Sequence, residues 1–329
     1  MAQRPMVLDG FEESSIERAT TLLKAGDVVA FPTETVYGLG ADALNPIGVA
    51  KIFEMKKRPH FDPLIIHVGK KEWLSSFVRA VPQKAQLLIE KFWPGPLTII
   101  LEKQPIIPDV VTAGLRTVGV RMPSHPVALN LITTFGRPVA APSANPFGYM
   151  SATNAGHVAR MFKNKLELVL DGGPASFGLE STIVVIREQQ VIVRRYGAVS
   201  LEELQEIVGE VRKKSTYGSL DSPGQLPYHY APHKPLSIIK TLDDIRTEAC
   251  SVLLFRSPSR ELVARHVKIL SPKGDLREAA ANFFSYLIEL DRKDVEIIYA
   301  EELPEVGLGR AMMERLKKAA MKDSATVDS

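Results

Sequence analysis

The sequence predicts an α/β fold in two domains. Short apolar runs of strand length alternate with amphipathic helical patterns along the chain. A length of 329 residues suits two domains of about 150 residues better than one. Between 209 and 235 the periodicity stops, and lysine, serine, glycine and proline take over, as in a linker or lid. The expected division is a larger α/β domain at 1–210, a linker or lid at 211–235 and a smaller α/β domain at 236–329.

Each element follows from local chemistry. The first helix is expected over 14–25: Ser14 and Glu17 fit a capping box, Ile16, Ala19, Leu22 and Leu23 share one face, and Gly26 ends it. Val28–Phe31 reads as a buried strand that stops at Pro32, which has no amide proton for a ladder. Thr33, Glu34, Thr35 and Tyr37 follow, and Gly38 and Gly40 read as a tight turn or as a backbone opening towards a ligand. Gly48–Met55 reads as a helix that carries Lys56, Lys57 and Arg58 out at its C-terminal end, and Leu64–Val68 as a strand. A helix follows Pro82 and stops at Trp93-Pro94-Gly95-Pro96. Leu97–Leu101 and Val118–Met122 read as strands, Pro126–Phe135 as a helix and Val139–Ala141 as a short strand. Strands at 166–170, 182–186 and 191–195 close the first domain, the last two as a hairpin, and Ser200 with Glu203 caps a helix to about 208. Beyond the linker, strands at 237–239, 252–255, 267–270 and 295–299 alternate with helices at 275–292 and 308–320. The polar tail from Lys322 is expected to fray.

Composition narrows the function. Hydrophobic residues at 45% and charged residues at 24% are ordinary for a soluble globular chain, and a net charge of +3 is no polyanion-binding footprint. Basicity is local: Lys51, Lys56, Lys57, Arg58, Lys70 and Lys71 oppose only Glu54 and Asp62 between 51 and 71. The lone Cys250 excludes an internal disulfide and a multi-cysteine zinc site, and fits a reducing cytosol. No apolar run approaches the ~18 residues of a membrane span. The first residues, MAQRPMVLDGFEE, lack the apolar centre of a signal peptide. A cytoplasmic protein without membrane attachment is expected. There is no Walker-type phosphate loop and no G-x-G-x-x-G after the first strand. His229 and His233 are four apart, but no helix, cysteine or third ligand makes them a metal site, so no protein metal site is expected.

Several polar residues stand where polarity needs a reason. Lys56 and Arg58 can supply charge for phosphate oxygens or be solvated at a helix end. His67 lies in an apolar strand, either as a hydrogen-bonded core residue or as a ligand contact. Thr117 and Arg121, four apart in a strand, share a face, and an inward arginine needs an anionic partner, either a ligand carboxylate or a structural acid. Ser143 and Asn145, and Ser181 and Thr182, sit among small residues that let backbone amides approach a ligand, or simply make turns.

Six segments carry a resemblance. FPTETVYGLGADA, KKRPHFDPLIIHV, WPGPLTIIL, RTVGVRMP, APSAN and GLESTIV follow one another in the order and spacing of the YrdC/Sua5 family, from about residue 15 to about 200. SPGQLPYHYAP at 222–232 resembles the linker of the two-domain Sua5 branch. The resemblance implies a YrdC-like twisted mixed sheet followed by a smaller Rossmann-like domain. It implies a threonylcarbamoyl-AMP synthase, a nucleotidyltransferase that makes L-threonylcarbamoyl-adenylate and pyrophosphate from L-threonine, bicarbonate or CO2, and ATP. The product would pass to a downstream enzyme that forms t6A on tRNAs reading ANN codons. The implied roles are Lys56 and Arg58 as catalytic cations; Thr35, His67, Arg121, Ala141 and Ser181 around threonine; and Arg58, Asp62, Thr117, Ser143, Ser151, Arg195 and Tyr230 at ATP, with Mg2+ neutralising phosphate charge. Asp62 departs from the asparagine usual at its position, since an ionised carboxylate accepts hydrogen bonds but donates none. A tyrosine of the linker is implied at the nucleotide: Tyr230 matches best, and Tyr228 neighbours Pro227, where the family's tyrosine usually stands. Two other readings are weaker: a tRNA-binding module using the 51–71 cations, which the low net charge disfavours, and a hydrogenase-maturation carbamoyltransferase of the HypF kind, whose cysteine-rich zinc motifs are absent here.

Overall fold

The computed structural model describes residues 5–213 and 230–321. They fall into two compact units. The first comprises 5–147, 152–176 and 180–213; the second comprises 148–151, 177–179 and 230–321.

The first unit opens with β1 (Met6–Asp9), α1 (Glu13–Lys24), β2 (Val29–Phe31), β3 (Gly38–Asp42), α2 (Pro46–Lys56) and β4 (Ile65–His67). It continues through α3 (Leu74–Phe77), α4 (Gln83–Phe92), β5 (Leu97–Glu102), α5 (Asp109–Thr112), β6 (Thr117–Arg121), α6 (Pro126–Phe135) and β7 (Val139–Ala140). It ends with α7 (Ala155–Phe162), β8 (Leu168–Asp171), β9 (Thr182–Arg187), β10 (Gln190–Arg195), α8 (Leu201–Val208) and β11 (Val211–Lys213). The strands make one mixed sheet in the order β1-β8-β2-β3-β7-β4-β6-β5-β9-β10-β11. Apolar helix faces cover both sides. Ile16, Ala19 and Leu23 of α1 and Val127, Leu131 and Phe135 of α6 pack on one side with Phe31, Leu168 and Leu170. Residues of α2, α4, α7 and α8 pack with Ala30, Leu39, Ile66 and Ile99 on the other. Trp73 packs partly buried against the core, and Trp93 is buried, its indole N–H donating to the Leu97 carbonyl at 2.7 Å.

Several predicted elements are found nearly residue for residue. Pro126 starts α6 at its first turn, the His125 Nδ1 accepts from the Val127 amide at 3.2 Å, and Gly136 ends it at φ +77°. The Ser200/Glu203 capping box of α8 is formed. The β9–β10 hairpin turns through Glu188 and Gln189, both at positive φ. The capping box predicted for α1 is not formed. The Asp9 carboxylate accepts from the Phe11 amide at 2.9 Å and turns the chain early, so the helix begins at Glu13 and Ser14 lies inside it.

Gly38 and Gly40 are neither a turn nor a loop. They lie in β3, antiparallel to β2. A Cβ on Gly40 would meet Phe31 Cε1 at 2.6 Å and Val139 Cγ1 at 2.7 Å, so glycine here allows close packing.

The second unit holds β12 (Leu236–Ile239), β13 (Cys250–Leu254), β14 (His266–Ile269), α9 (Leu276–Leu290), β15 (Ile297–Glu301) and α10 (Leu308–Ala320). Its strands form an all-parallel sheet ordered β12-β15-β13-β14. Residues 148–151 and 177–179 join this unit: Tyr149 Oη donates to Asp291 Oδ2 at 2.8 Å, and the Arg277 guanidinium lies 3.3 Å from the Phe177 ring centre. No helix among the described residues is long and apolar enough to cross a membrane. Of the predicted linker at 211–235, only 211–213 and 230–235 are described; Pro227, Tyr228, His229 and the tail from Lys322 lie outside the described residues.

Candidate active site

Across the neighbouring strands β7, β4, β6, β5, β9 and β10, the predicted residues come up one after another. Ala141 follows β7 and donates its amide to the Ile65 carbonyl of β4 at 3.0 Å. His67 ends β4 and pairs in register with Arg121, which ends β6. Ser181 precedes β9, and its hydroxyl meets Thr98 Oγ1 of β5 at 2.8 Å. Arg195 ends β10 and donates to the Ser181 carbonyl from Nε at 3.1 Å and Nη2 at 2.9 Å.

Arg121 is the anchor of this row. It is buried, and it has the structural acid that an inward arginine requires: Nη2 donates to Glu34 Oε1 at 2.6 Å. Its Nη1 donates to Thr35 Oγ1 at 2.9 Å and its Nε to the Gly95 carbonyl at 3.2 Å. The second carboxylate oxygen of Glu34 accepts from the Ser124 amide at 3.0 Å. Both oxygens of this buried acid are therefore satisfied, and the guanidinium is fixed on two edges. His67 lies beside it, 4% exposed, with no hydrogen-bond partner at Nδ1. Burial first, and then the charge of Arg121, lower its pKa from 6.5 to about 3, so the imidazole is neutral near pH 7.

A second group gathers cations. The helix α2 ends in a left-handed turn at Lys57, φ 55°, with the Arg58 amide bonding back to the Phe53 carbonyl at 2.9 Å. That turn sends Lys57 to the surface and buries both Lys56 and Arg58. The Lys56 ammonium donates to the Ser143 carbonyl at 2.6 Å and to the Asn145 carbonyl. It thereby ties down the APSAN loop. Burial, and then the nearby Arg58, hold its pKa well below the ordinary lysine value, with Asp62 opposing. Arg58 donates from Nε to the Asp62 carbonyl at 3.0 Å and from Nη2 to the Pro63 carbonyl at 2.9 Å. The Asp62 carboxylate lies 2.9 Å from Nη2. Its burial raises the carboxyl pKa, with Arg58, Lys56 and Arg195 pulling the other way.

The structure thus joins Thr35 to Arg121, His67 to Arg121, Lys56 to Ser143, Arg58 to Asp62, and Ser181 to Arg195. Thr117 lies on the same strand as Arg121, half-buried. Ser151 and Tyr230 belong to the second unit, where Tyr230 is buried, 5.6 Å between ring centres from Phe284 and 5.2 Å below the Arg315 guanidinium. Neither Glu34 nor Thr98 has a role assigned to it from sequence. Each left a signal: a carboxylate between two threonines, and a hydroxyl inside the apolar run Leu97–Leu101.

The 51–71 basic stretch does not make one charged surface. Lys56 and Arg58 point inward, and Lys51 pairs with Asp27. A hollow of about 1230 Å3 lined by Arg18, Lys51, Lys57, Lys165, Asp27 and Glu167 contains none of the predicted site residues. Among the described residues no group of three or more His, Cys, Asp or Glu is placed to hold a metal ion.

Comparison with known proteins splits the chain near residue 198. Residues 21–197 match the Sua5/YciO/YrdC family model, described as "Telomere recombination", and residues 199–321 match the model for the threonylcarbamoyl-AMP synthase C-terminal domain. The chain is 41% identical to the threonylcarbamoyl-AMP synthase of Pyrococcus abyssi, covering 95% of this chain and 96% of that one. It is 38% identical to the enzyme of the same name in Bacillus subtilis, over 94% and 93%. Its fold is similar to that of P. abyssi Sua5 complexed with L-threonine, at a TM-score of 0.88, 40% identity and coverage of 96% and 97%.

Proposed function

The chain belongs to the Sua5/YciO/YrdC family, and from that premise we propose that it is a threonylcarbamoyl-AMP synthase. It joins L-threonine, bicarbonate or CO2, and ATP into L-threonylcarbamoyl-adenylate and pyrophosphate. The observation that carries this reading is the pairing of a fixed, buried arginine with a separate group of buried cations, Lys56, Arg58 and Arg195, in one unit.

Arg121, held by Glu34, takes the threonine carboxylate as a second anionic partner, with Thr35, Ala141 and Ser181 around it. Neutral His67 accepts a hydrogen bond from the ammonium or hydroxyl of threonine, which a protonated imidazole, having no acceptor, could not do. The threonine ammonium gives up a proton to solvent, and the free amine attacks CO2. A C–N bond forms, the nitrogen loses a second proton to solvent, and a carbamate oxygen attacks the α-phosphorus as the bond to the β-phosphate bridging oxygen breaks. Pyrophosphate leaves with that electron pair. Lys56, Arg58 and Arg195 face the developing phosphate charge, and Ser143, Asp62 and Thr117 line the nucleotide. No covalent nucleophile is invoked, so rate enhancement comes from positioning and electrostatics. Ser151 and Tyr230, assigned to the nucleotide by resemblance, lie in the second unit.

Mg2+ would arrive with the triphosphate, because Glu34 and Asp62 each already face an arginine and no group of three or more His, Cys, Asp or Glu among the described residues is placed to hold it. When bound it would neutralise phosphate charge. The adenylate is a high-energy acyl donor, consumed by an enzyme that transfers threonylcarbamoyl to tRNA.

Pyrophosphate release from purified protein tests the reading directly. It should require ATP, L-threonine and bicarbonate together. Release that persists when threonine is withheld would refute it.

A further inference from the structure

We propose that Asp62 is the resident counter-ion of the phosphate-binding cations, standing in for phosphate before nucleotide binds and taking up a proton when the triphosphate arrives. The inference rests on the nucleotide reading above.

Four charged side chains, Lys56, Arg58, Asp62 and Arg195, are each less than a tenth exposed in the same part of the first unit. Buried cations need a counter-charge, and Asp62 is a carboxylate that faces them: Lys56 from α2, Arg58 from the turn after α2, and Arg195 from β10. It is held differently from Glu34. Both oxygens of Glu34 accept hydrogen bonds. The Asp62 Oδ2 lies 2.9 Å from Arg58 Nη2, yet at an angle that leaves it without a hydrogen bond. Arg58 does not depend on that carboxylate, because the backbone carbonyls of Asp62 and Pro63 hold it. The negative charge of Asp62 can therefore be removed while the cation stays in place.

An incoming triphosphate supplies the counter-charge and repels an ionised Asp62. Binding a solvent proton at the carboxylate relieves the repulsion. Burial already favours the neutral form, and added negative charge favours it further. Protonated, Asp62 becomes a hydrogen-bond donor to a phosphate oxygen, the capability that an amide has at this position.

The test is titration of the full-length protein with α,β-methylene-ATP and Mg2+ between about pH 7.5 and 9, where the free nucleotide no longer titrates. If one proton is taken up, affinity weakens by up to about tenfold per pH unit. Asp62→Asn should bind more tightly than the parent at the alkaline end and lose most of this slope. A flat profile for the parent would overturn the proposal. So would an Asp62→Asn profile as steep as the parent's, which would move the proton to Lys56, or weaker binding by Asp62→Asn at every pH, which would make Asp62 a ligand of the nucleotide's metal. If Asp62→Asn fails to fold, Asp62→Ser takes its place. Failure of the analogue to bind the parent at any pH would strike the nucleotide reading itself, a separate result.

Discussion

Glu34 decides how Arg121 points. Its carboxylate accepts from the guanidinium and from the Ser124 amide at once. Glu34→Gln keeps the shape but offers one acceptor where two are needed, turning an amide N–H towards a donor. Such a mismatch costs about 1–3 kcal/mol. The expected result is a threonine KM raised by roughly tenfold or more, with kcat changed less; an unchanged threonine KM would show that the pair is only structural. His67 gives a pH prediction. Its pKa is lowered on folding from 6.5 to about 3. Above about pH 6.5 both folded and unfolded chains carry it neutral, and it has no effect. As pH falls from 6.5 towards 3, the unfolded chain takes the proton and the folded one does not, so stability is lost across that window. His67→Asn should lose less stability than the parent on moving from about pH 7 to 4.5, as read by urea midpoints. At this scale the sequence marked His67 and Arg121 because polarity or charge sat in apolar strands, and Lys56 and Arg58 because cations cluster at a helix end. It left Glu34 and Thr98 without a role because their importance lies in partners 87 and 83 residues away along the chain.

Among the elements, those with their own start and stop chemistry were legible. The helix α6 has proline and glycine at its two ends, α8 has its capping box, and the β9–β10 hairpin has two clear apolar runs. Among the elements not read are β1, a four-residue edge strand whose pairing is with the distant β8; β3, rich in glycine; and α7, eight residues long. Their stability comes from neighbours rather than from local propensity, which a short window of sequence does not contain. For β3 this is measurable. Gly40→Ala would drive a methyl into Phe31 and Val139, and overpacking of this kind costs about 1–3 kcal/mol. A lower denaturant midpoint with an unchanged m-value is expected; a midpoint equal to the parent's would mean that the sheet opens to accept the methyl.

For the molecule as a whole, strand-helix alternation carried the fold class, and the two sheets, one mixed and one wholly parallel, bear it out. Chain order was a poorer guide to grouping. Residues 148–151 and 177–179 lie far before the predicted second domain in sequence, yet cluster with it in space. No composition shift marks such short excursions, because they are set by contacts with α9 such as Arg277 over Phe177 and Gly178 against Ala280.

The placement of the two indoles has a practical outcome. Trp73 and Trp93 are the sole tryptophans of the chain, and both fall within the first unit. Emission excited at the red edge of protein absorbance therefore comes from the first unit alone, while the tyrosines of the other unit stay dark to it. Melting watched by that light follows one half of a bipartite protein, and any gap between it and a far-ultraviolet dichroism trace isolates the other without a label.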